Sequence, residues 1–216
     1  MEIYPSLISS DLLNIQQTLT ELDPHCQGYH LDVMDDHFVP NLTWGPDFIN
    51  TIIAATQKPV HVHLMVQDPE RWIKRLNLRS SDLFIFHYEA FAQPHDSRKL
   101  LDQLITNNIS AGMAINPTTP ITAITDFLPS LQQVLVMSVN PGFSGQSFIP
   151  STTEKIHPLV SLRKAHNLPF HICMDGGINE QNFKTVATLG VDQVAVASAL
   201  FAQHNPLAAL QHLYRL

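Results

Sequence analysis

Two histidines and two aspartates stand where they could do chemistry together. His30 and Asp32 lie two residues apart in Tyr29 to Asn41 (YHLDVMDDHFVPN), His63 follows the same alternation in His61-Val62-His63-Leu64-Met65, and Asp175 ends His171-Ile172-Cys173-Met174-Asp175 just before Gly176-Gly177. Successive strand side chains point to opposite faces, so a spacing of two aims an imidazole and a carboxylate the same way. If the three stretches are strands of one barrel, the four groups converge at the strands' C-terminal ends. Two imidazoles and two carboxylates suit one divalent metal per chain, Zn²⁺, Fe²⁺ or Mn²⁺. Any one of them alone is more often a hydrogen-bonded structural group, and the matched positions carry the reading.

Two carboxylates on well-separated strands can also move protons. Asp32 and Asp175 could address opposite faces of a substrate, one removing a carbon-bound proton and the other delivering one, with the metal stabilising the enediolate between them. Around this pair lie candidate substrate groups. Gly142, Phe143, Ser144 and Gly145 in Asn140 to Gln146, then Gly176 and Gly177, then Ala197 and Ser198, could present backbone N–H groups to a phosphate. Plain turn chemistry is the bland alternative for any one glycine pair. Met34, Met65 and Met137 at strand ends suggest an apolar floor under a planar intermediate, with core packing as the default for methionine. Ser6 is a weaker candidate for a substrate hydrogen bond. His87 and Glu89 follow the fourth strand in a supporting polar role, and His25, His95, His157, His166, His204 and His212 read as surface groups.

Positioning such a set requires strands that all end on one rim. The pattern predicts strands at Ile3 to Ser9, Tyr29 to Val33, Val60 to Val66, Asp82 to His87, Ile109 to Ile115, Gln133 to Met137, Phe170 to Met174 and Val191 to Ala197. Helices are expected between them at Asp11 to Leu22, from Pro46 to about Ala55, at Pro69 to Leu76, Ser97 to Thr106, Pro120 to Phe127, Ser151 to His166, Asn179 to Ala187 and Pro206 to Tyr214. Strand–helix alternation through 216 residues without a linker predicts an α/β fold, a single (β/α)8 TIM barrel forming one catalytic domain over 1–216. A doubly wound sheet is the alternative, weakened because no GxGxxG follows strand one.

Composition excludes other classes. A formal net charge of −7 without a Lys/Arg cluster gives no nucleic-acid footprint. No apolar run approaches a membrane span, the N-terminus lacks a signal pattern, and two cysteines make no disulfide framework, so a cytosolic location is expected. Homo-oligomerisation stays open.

The motifs taken in order resemble the ribulose-phosphate 3-epimerase family. They are PSLISSD from Pro5, HLDVMD and HFVPN from His30, VHLMV from Val62, FHYEA from Phe86, NPTTP from Asn116, VLVMSVNPGFSGQ from Val134 and DGGI from Asp175. The resemblance spans nearly the whole chain. It implies a (β/α)8 barrel that interconverts D-ribulose 5-phosphate and D-xylulose 5-phosphate, with His30, Asp32, His63 and Asp175 as metal ligands and Asp32 and Asp175 as the acid/base pair. It implies that Ser6 and His63 meet substrate, and that Gly142 to Gly145, Gly176, Gly177, Ala197 and Ser198 form the substrate and phosphate loops.

Departures from the family pattern are Asp36, Ser144 and Ala197 where glycine is usual, and His61 and Cys173 where Asp and Glu are usual. A left-handed backbone at the first three would tolerate Asp or Ala poorly. His61 and Cys173 keep strand parity with His63 and Asp175, so both are expected inward, together, one layer beneath the metal, supporting it rather than binding a second ion. The related allulose 6-phosphate 3-epimerase and a non-catalytic sugar-phosphate-binding barrel are the rival readings.

Overall fold

The computed structural model describes residues 1–216 and forms an eight-stranded, all-parallel sheet. The strands are β1 (Glu2–Pro5), β2 (Tyr29–Met34), β3 (Val60–Met65), β4 (Leu83–His87), β5 (Ala111–Ile115), β6 (Gln133–Met137), β7 (His171–Asp175) and β8 (Gln193–Val196). Each pairs with its sequence neighbour from β2 to β8, and β8 pairs with β1. The ring closes between β1 and β2 through one parallel bridge, Ser6 to His30. The closing point therefore lies beside the candidate site.

Val, Ile, Leu and Phe on the outward face of the strands pack under the helices in one large core cluster. A smaller apolar cluster of Leu83, Ile85, Ala114, Leu135, Met137, Val139 and Cys173 fills the barrel interior. Strands β2 to β6 are buried along their whole length, as expected for parallel strands covered on both faces.

Seven helices lie around the ring: α1 (Ile15–Leu22), α2 (Pro46–Ala55), α3 (Pro94–Thr106), α4 (Ile156–His166), α5 (Glu180–Thr188), α6 (Ser198–Phe201) and α7 (Pro206–Leu213). Two expected helices are absent. After β3 the chain makes only a 3-10 turn, Pro69–Trp72. The Asn50 amide donates to the Arg75 carbonyl at 2.9 Å and its oxygen accepts from Asn77 N–H at 2.8 Å, so a side chain of α2 takes the groups a longer helix would use. After β5 two 3-10 turns, Ile121–Ala123 and Thr125–Ser130, stand where a helix was expected, and Pro129 within the second supplies no N–H to carry a helix past Phe127.

Other boundaries shift. β1 stops at Pro5, and Leu7–Ser9 forms a 3-10 turn instead of more strand. Asp11 accepts from Leu13 N–H, which splits the expected helix into a 3-10 turn at Leu12–Asn14 and α1. Pro150–Lys155 is likewise a 3-10 turn ahead of α4.

Beneath the C-terminal rim, toward the strands' N-terminal ends, the barrel carries a second polar layer. The His61 ring stacks on Tyr4 with centroids 3.9 Å apart. The Gln133 amide reaches His61 Nδ1 at 3.3 Å and donates to Gln193 at 2.7 Å, while the Gln193 amide donates to Glu2 at 2.8 Å. His61 and Cys173 both face inward, as expected. They are not joined to each other: His61 belongs to this amide network, whereas the Cys173 thiol packs in the apolar interior cluster. Burial drives the His61 pKa well below and the Cys173 pKa well above its ordinary value, so both are neutral.

Candidate metal and substrate site

Strands β2, β3 and β7 bring the four predicted residues together, but only Asp175 ends its strand. Asp32 and His63 each lie two residues before the ends of β2 and β3, and His30, expected at a C-terminal end, is the second residue of β2, level with Ser6 just past the end of β1. Asp32 lies opposite His63 in the β2–β3 register. One ligand atom from each of His30, Asp32, His63 and Asp175 falls within 4.8 Å of every other. Asp32 Oδ1 is 3.3 Å from His30 Nε2 and 3.1 Å from His63 Nδ1, and Asp175 Oδ2 is 3.6 and 3.5 Å from the same nitrogens.

Loop hydroxyls hold the two aspartates in place. Thr43 Oγ1 donates to the Asp32 carbonyl at 2.9 Å, and Ser138 Oγ donates to the carbonyls of Asp175 and Gly176 at 2.9 and 2.6 Å. Ser6 Oγ donates to Asp32 Oδ2 at 2.5 Å, leaving Oδ1 to the histidines.

Charge in this group is unbalanced. No lysine or arginine pairs with either carboxylate, and the partners are the two histidines. Burial raises the Asp32 carboxyl, but His30 and then His63 outweigh it and hold Asp32 well below the ordinary range. Burial, and next the charge on Asp32, raises the Asp175 carboxyl. For His63 burial dominates and lowers the imidazole to about 3. On His30 burial also disfavours charge, yet Asp32 and then Asp175 outweigh it and raise the pKa.

Two adjacent carboxylates resist ionising together without a cation between them. The four convergent N and O atoms therefore fit a divalent ion, which would relieve this repulsion.

Above the group opens a cleft that, counted with the solvent at its mouth, encloses about 510 Å³ of empty space. Its wall includes Ser6, Asp32, Asp175, Met34, Met65 and Met137 together with Gly142, Phe143, Ser144, Gly145, Gly176, Gly177, Ala197 and Ser198. His30 and His63 are fully buried beneath it and do not line it. The implied contact of His63 with substrate is thus not visible in this geometry, and its ring lies behind Asp32.

Glycine is required where β7 turns into its loop. Gly176 and Gly177 have φ of +112° and +66°, and a Cβ on Gly177 would come within 2.5 Å of Phe148 N. Their N–H groups donate to nothing within the chain. The carbonyl of Gly177 accepts from the amides of Asn179 and Asn182 at 3.2 and 2.9 Å, the pair that also caps α5 reciprocally, so the loop is fixed by a helix start.

Of the three departures in glycine positions, only Asp36 is left-handed, at φ +58°. Asp is among the few side-chain-bearing residues that adopt this conformation readily. Ala197 has φ −105° and Ser144 is not left-handed, so the expected strain does not arise at either. Ser144 Oγ instead lies 2.6 Å from Ser9 Oγ across the rim, and Asn41 donates to the Gly142 carbonyl at 2.7 Å, tying the loop after β6 to those after β1 and β2.

The surface histidines His25, His95, His157, His166, His204 and His212 are all exposed, as expected. Thr43, Ser138 and the asparagines of the α5 cap were not predicted, because isolated loop hydroxyls and amides carry no spacing signal.

Comparison with known proteins agrees with the fold and names the family. The chain is similar to ribulose-phosphate 3-epimerase of Treponema pallidum, 37% identical over 93% of this chain and 91% of the relative. It is 35% identical to that of Synechocystis over 96% and 90% of the two chains, and 31% identical to that of Bacillus subtilis over 99% and 98%. Among solved structures it resembles KGPDC from Streptococcus mutans (TM-score 0.70, 11% identity, 99% and 95% covered). It also resembles orotidine 5'-monophosphate decarboxylase from Sulfolobus solfataricus (TM-score 0.68, 14% identity, 99% and 96% covered). At such identities these two structures speak to the barrel alone. No helix is long and apolar enough to cross a membrane. The profile of the Ribulose-phosphate 3 epimerase family matches residues 2–201, and the chain belongs to that family.

Proposed function

We propose that the whole chain is one catalytic unit, a ribulose-phosphate 3-epimerase that interconverts D-ribulose 5-phosphate and D-xylulose 5-phosphate. The observation that carries the reading is the pairing of Asp32 and Asp175 in one buried group under a cavity, in a chain of this family.

Epimerisation needs a proton taken from one face of C3 and returned to the other, so two groups must hold protons in turn. Each aspartate directs one oxygen to the histidines and keeps the other apart: Asp32 Oδ2 under the Ser6 hydroxyl, and Asp175 Oδ1 without a partner in the chain. These two oxygens are the proton carriers in our reading.

His30, Asp32, His63 and Asp175 would hold one divalent ion, Zn²⁺, Fe²⁺ or Mn²⁺, which when bound supplies positive charge to stabilise enediolate oxygens. Met34, Met65 and Met137 form an apolar floor that keeps water from the planar intermediate. Gly176, Gly177, Ala197 and Ser198, with Gly142 to Gly145, line the side of the cavity that would receive the phosphate, where the free N–H groups of Gly176 and Gly177 can donate.

The test is to incubate the purified protein with ribulose 5-phosphate in D₂O. Formation of xylulose 5-phosphate with deuterium at C3 is expected. Absence of both exchange and product, with the metal site filled, would overturn this reading, and the same incubation with allulose 6-phosphate would then separate a hexulose-phosphate epimerase from a sugar-phosphate-binding barrel.

A further inference from the structure

Of the two histidines in the group, His63 alone has its far nitrogen engaged by another side chain. Its Nδ1 faces the carboxylates, and its Nε2 lies 2.8 Å from Nε2 of His87. His87 is fully buried, with its ring 4.9 Å from that of His63 by centroids and 26° from parallel, and its Nδ1 is 3.2 Å from Glu89 Oε2. Glu89 Oε1 is held separately by Asn116 N–H at 2.8 Å and by the Thr119 hydroxyl. By contrast, the far nitrogen of His30, Nδ1, is buried without a partner.

Only one arrangement of protons lets this chain of groups serve a cation. His63 Nδ1 must offer a lone pair toward the carboxylates, so its proton sits on Nε2 and is donated to His87 Nε2. His87 then carries its own proton on Nδ1 and donates it to Glu89, which as a carboxylate can only accept. The direction of the whole relay is therefore set at its outer end.

We propose that Glu89, acting through His87, is a positioning residue that locks His63 in the Nε2–H tautomer and so sets how tightly the four-residue group holds its cation. The inference rests on the reading that this group binds a metal. Glu89 polarises the relay, making His63 a better donor, and orients the ring, as carboxylates behind ligating histidines do.

Glu89→Gln separates the relay from the loop contacts. An amide with its oxygen in the Oε1 position keeps Asn116 and Thr119, and turns its NH₂ toward His87 Nδ1. His87 must then accept there and donate from Nε2, which forces the His63 proton onto Nδ1, facing the cation. Thr119→Val removes a loop contact and leaves the relay intact.

The experiment titrates Zn²⁺ and Co²⁺ into metal-free wild type, E89Q and T119V in competition with a chelator, and reads the ring ¹⁵N shifts of His63. Wild type is expected to bind one equivalent with Nε2 of His63 protonated. E89Q should bind about 10- to 100-fold more weakly with a changed tautomer, and T119V should bind as wild type does. Equal affinity in E89Q, or an equal loss in T119V, would overturn the inference. A wild type that binds no metal would instead sink the metal reading on which it rests.

Discussion

Two polar layers share the interior of this barrel and differ in what completes them. The lower layer, Tyr4, His61, Gln133, Gln193 and Glu2, is largely closed within the chain: amide donors meet acceptors and the imidazole is stacked. The upper layer, His30, Asp32, His63 and Asp175, sets two carboxylates against two imidazoles with no side-chain cation. Both are built by the same period-two spacing on adjacent turns of the pleat. The difference lies in charge: the lower layer has a single carboxylate, the solvent-exposed Glu2, and leaves only Gln133 Oε1 without a partner, whereas two paired buried carboxylates need an external positive charge.

The comparison predicts opposite consequences for substitution in the two layers. Asp175→Asn should reduce turnover by more than about 10²-fold, because an amide cannot carry the proton. The metal-free chain should nonetheless be at least as heat-stable as wild type, since one crowded carboxyl has gone. Turnover within a few-fold of wild type would break the two-carboxylate mechanism, and a fall in melting temperature would break the contrast.

Ser6→Ala probes the upper layer more gently. Loss of a hydrogen bond to a charged oxygen, worth about 1.5–3 kcal/mol, should lower kcat by roughly ten-fold or more without changing metal stoichiometry. Unaltered kcat would show that Ser6 does not tune Asp32.

Gln133→Leu acts on the lower layer. It strips partners from His61 and Gln193, so a loss of about 1–3 kcal/mol in unfolding free energy is expected with metal content retained. Loss of the metal in this variant would mean that the layers are coupled.

The smallest effect is expected at Cys173. Its thiol makes one weak contact, to the Met174 carbonyl at 3.8 Å, and lies outside the group of ligands. Cys173→Ser should keep metal and most activity. Wild type binding two equivalents of metal and the variant one would make Cys173 a ligand instead.

The upper layer was legible in the sequence because strand parity is strict: His30 with Asp32, and His63 and Asp175 toward the ends of their strands, had to share a face. Glycine after Asp175 was legible for a similar reason, as the turn at Gly176-Gly177 admits little else. The lower layer was not. Gln133 and Gln193 are single amides in apolar strands, and nothing in their spacing says that they meet across the barrel.

His61 and Cys173 shared the expected parity, but parity fixes a face and not a partner. The helix expected after β3 gives way to a tertiary contact, Asn50 reaching from α2, and the one expected after β5 is broken into two 3-10 turns. His87 and Glu89 could be placed at the rim by spacing alone. That they stand behind His63 depends on the β3–β4 pairing.

The central claim, that the upper layer is completed by one divalent ion serving epimerisation, is tested most directly by elemental analysis of the purified protein beside the epimerase assay, before and after chelation. One equivalent of metal per chain, with turnover lost on chelation and restored by adding the metal back, is the predicted result. Full turnover in chain stripped of metal would contradict it.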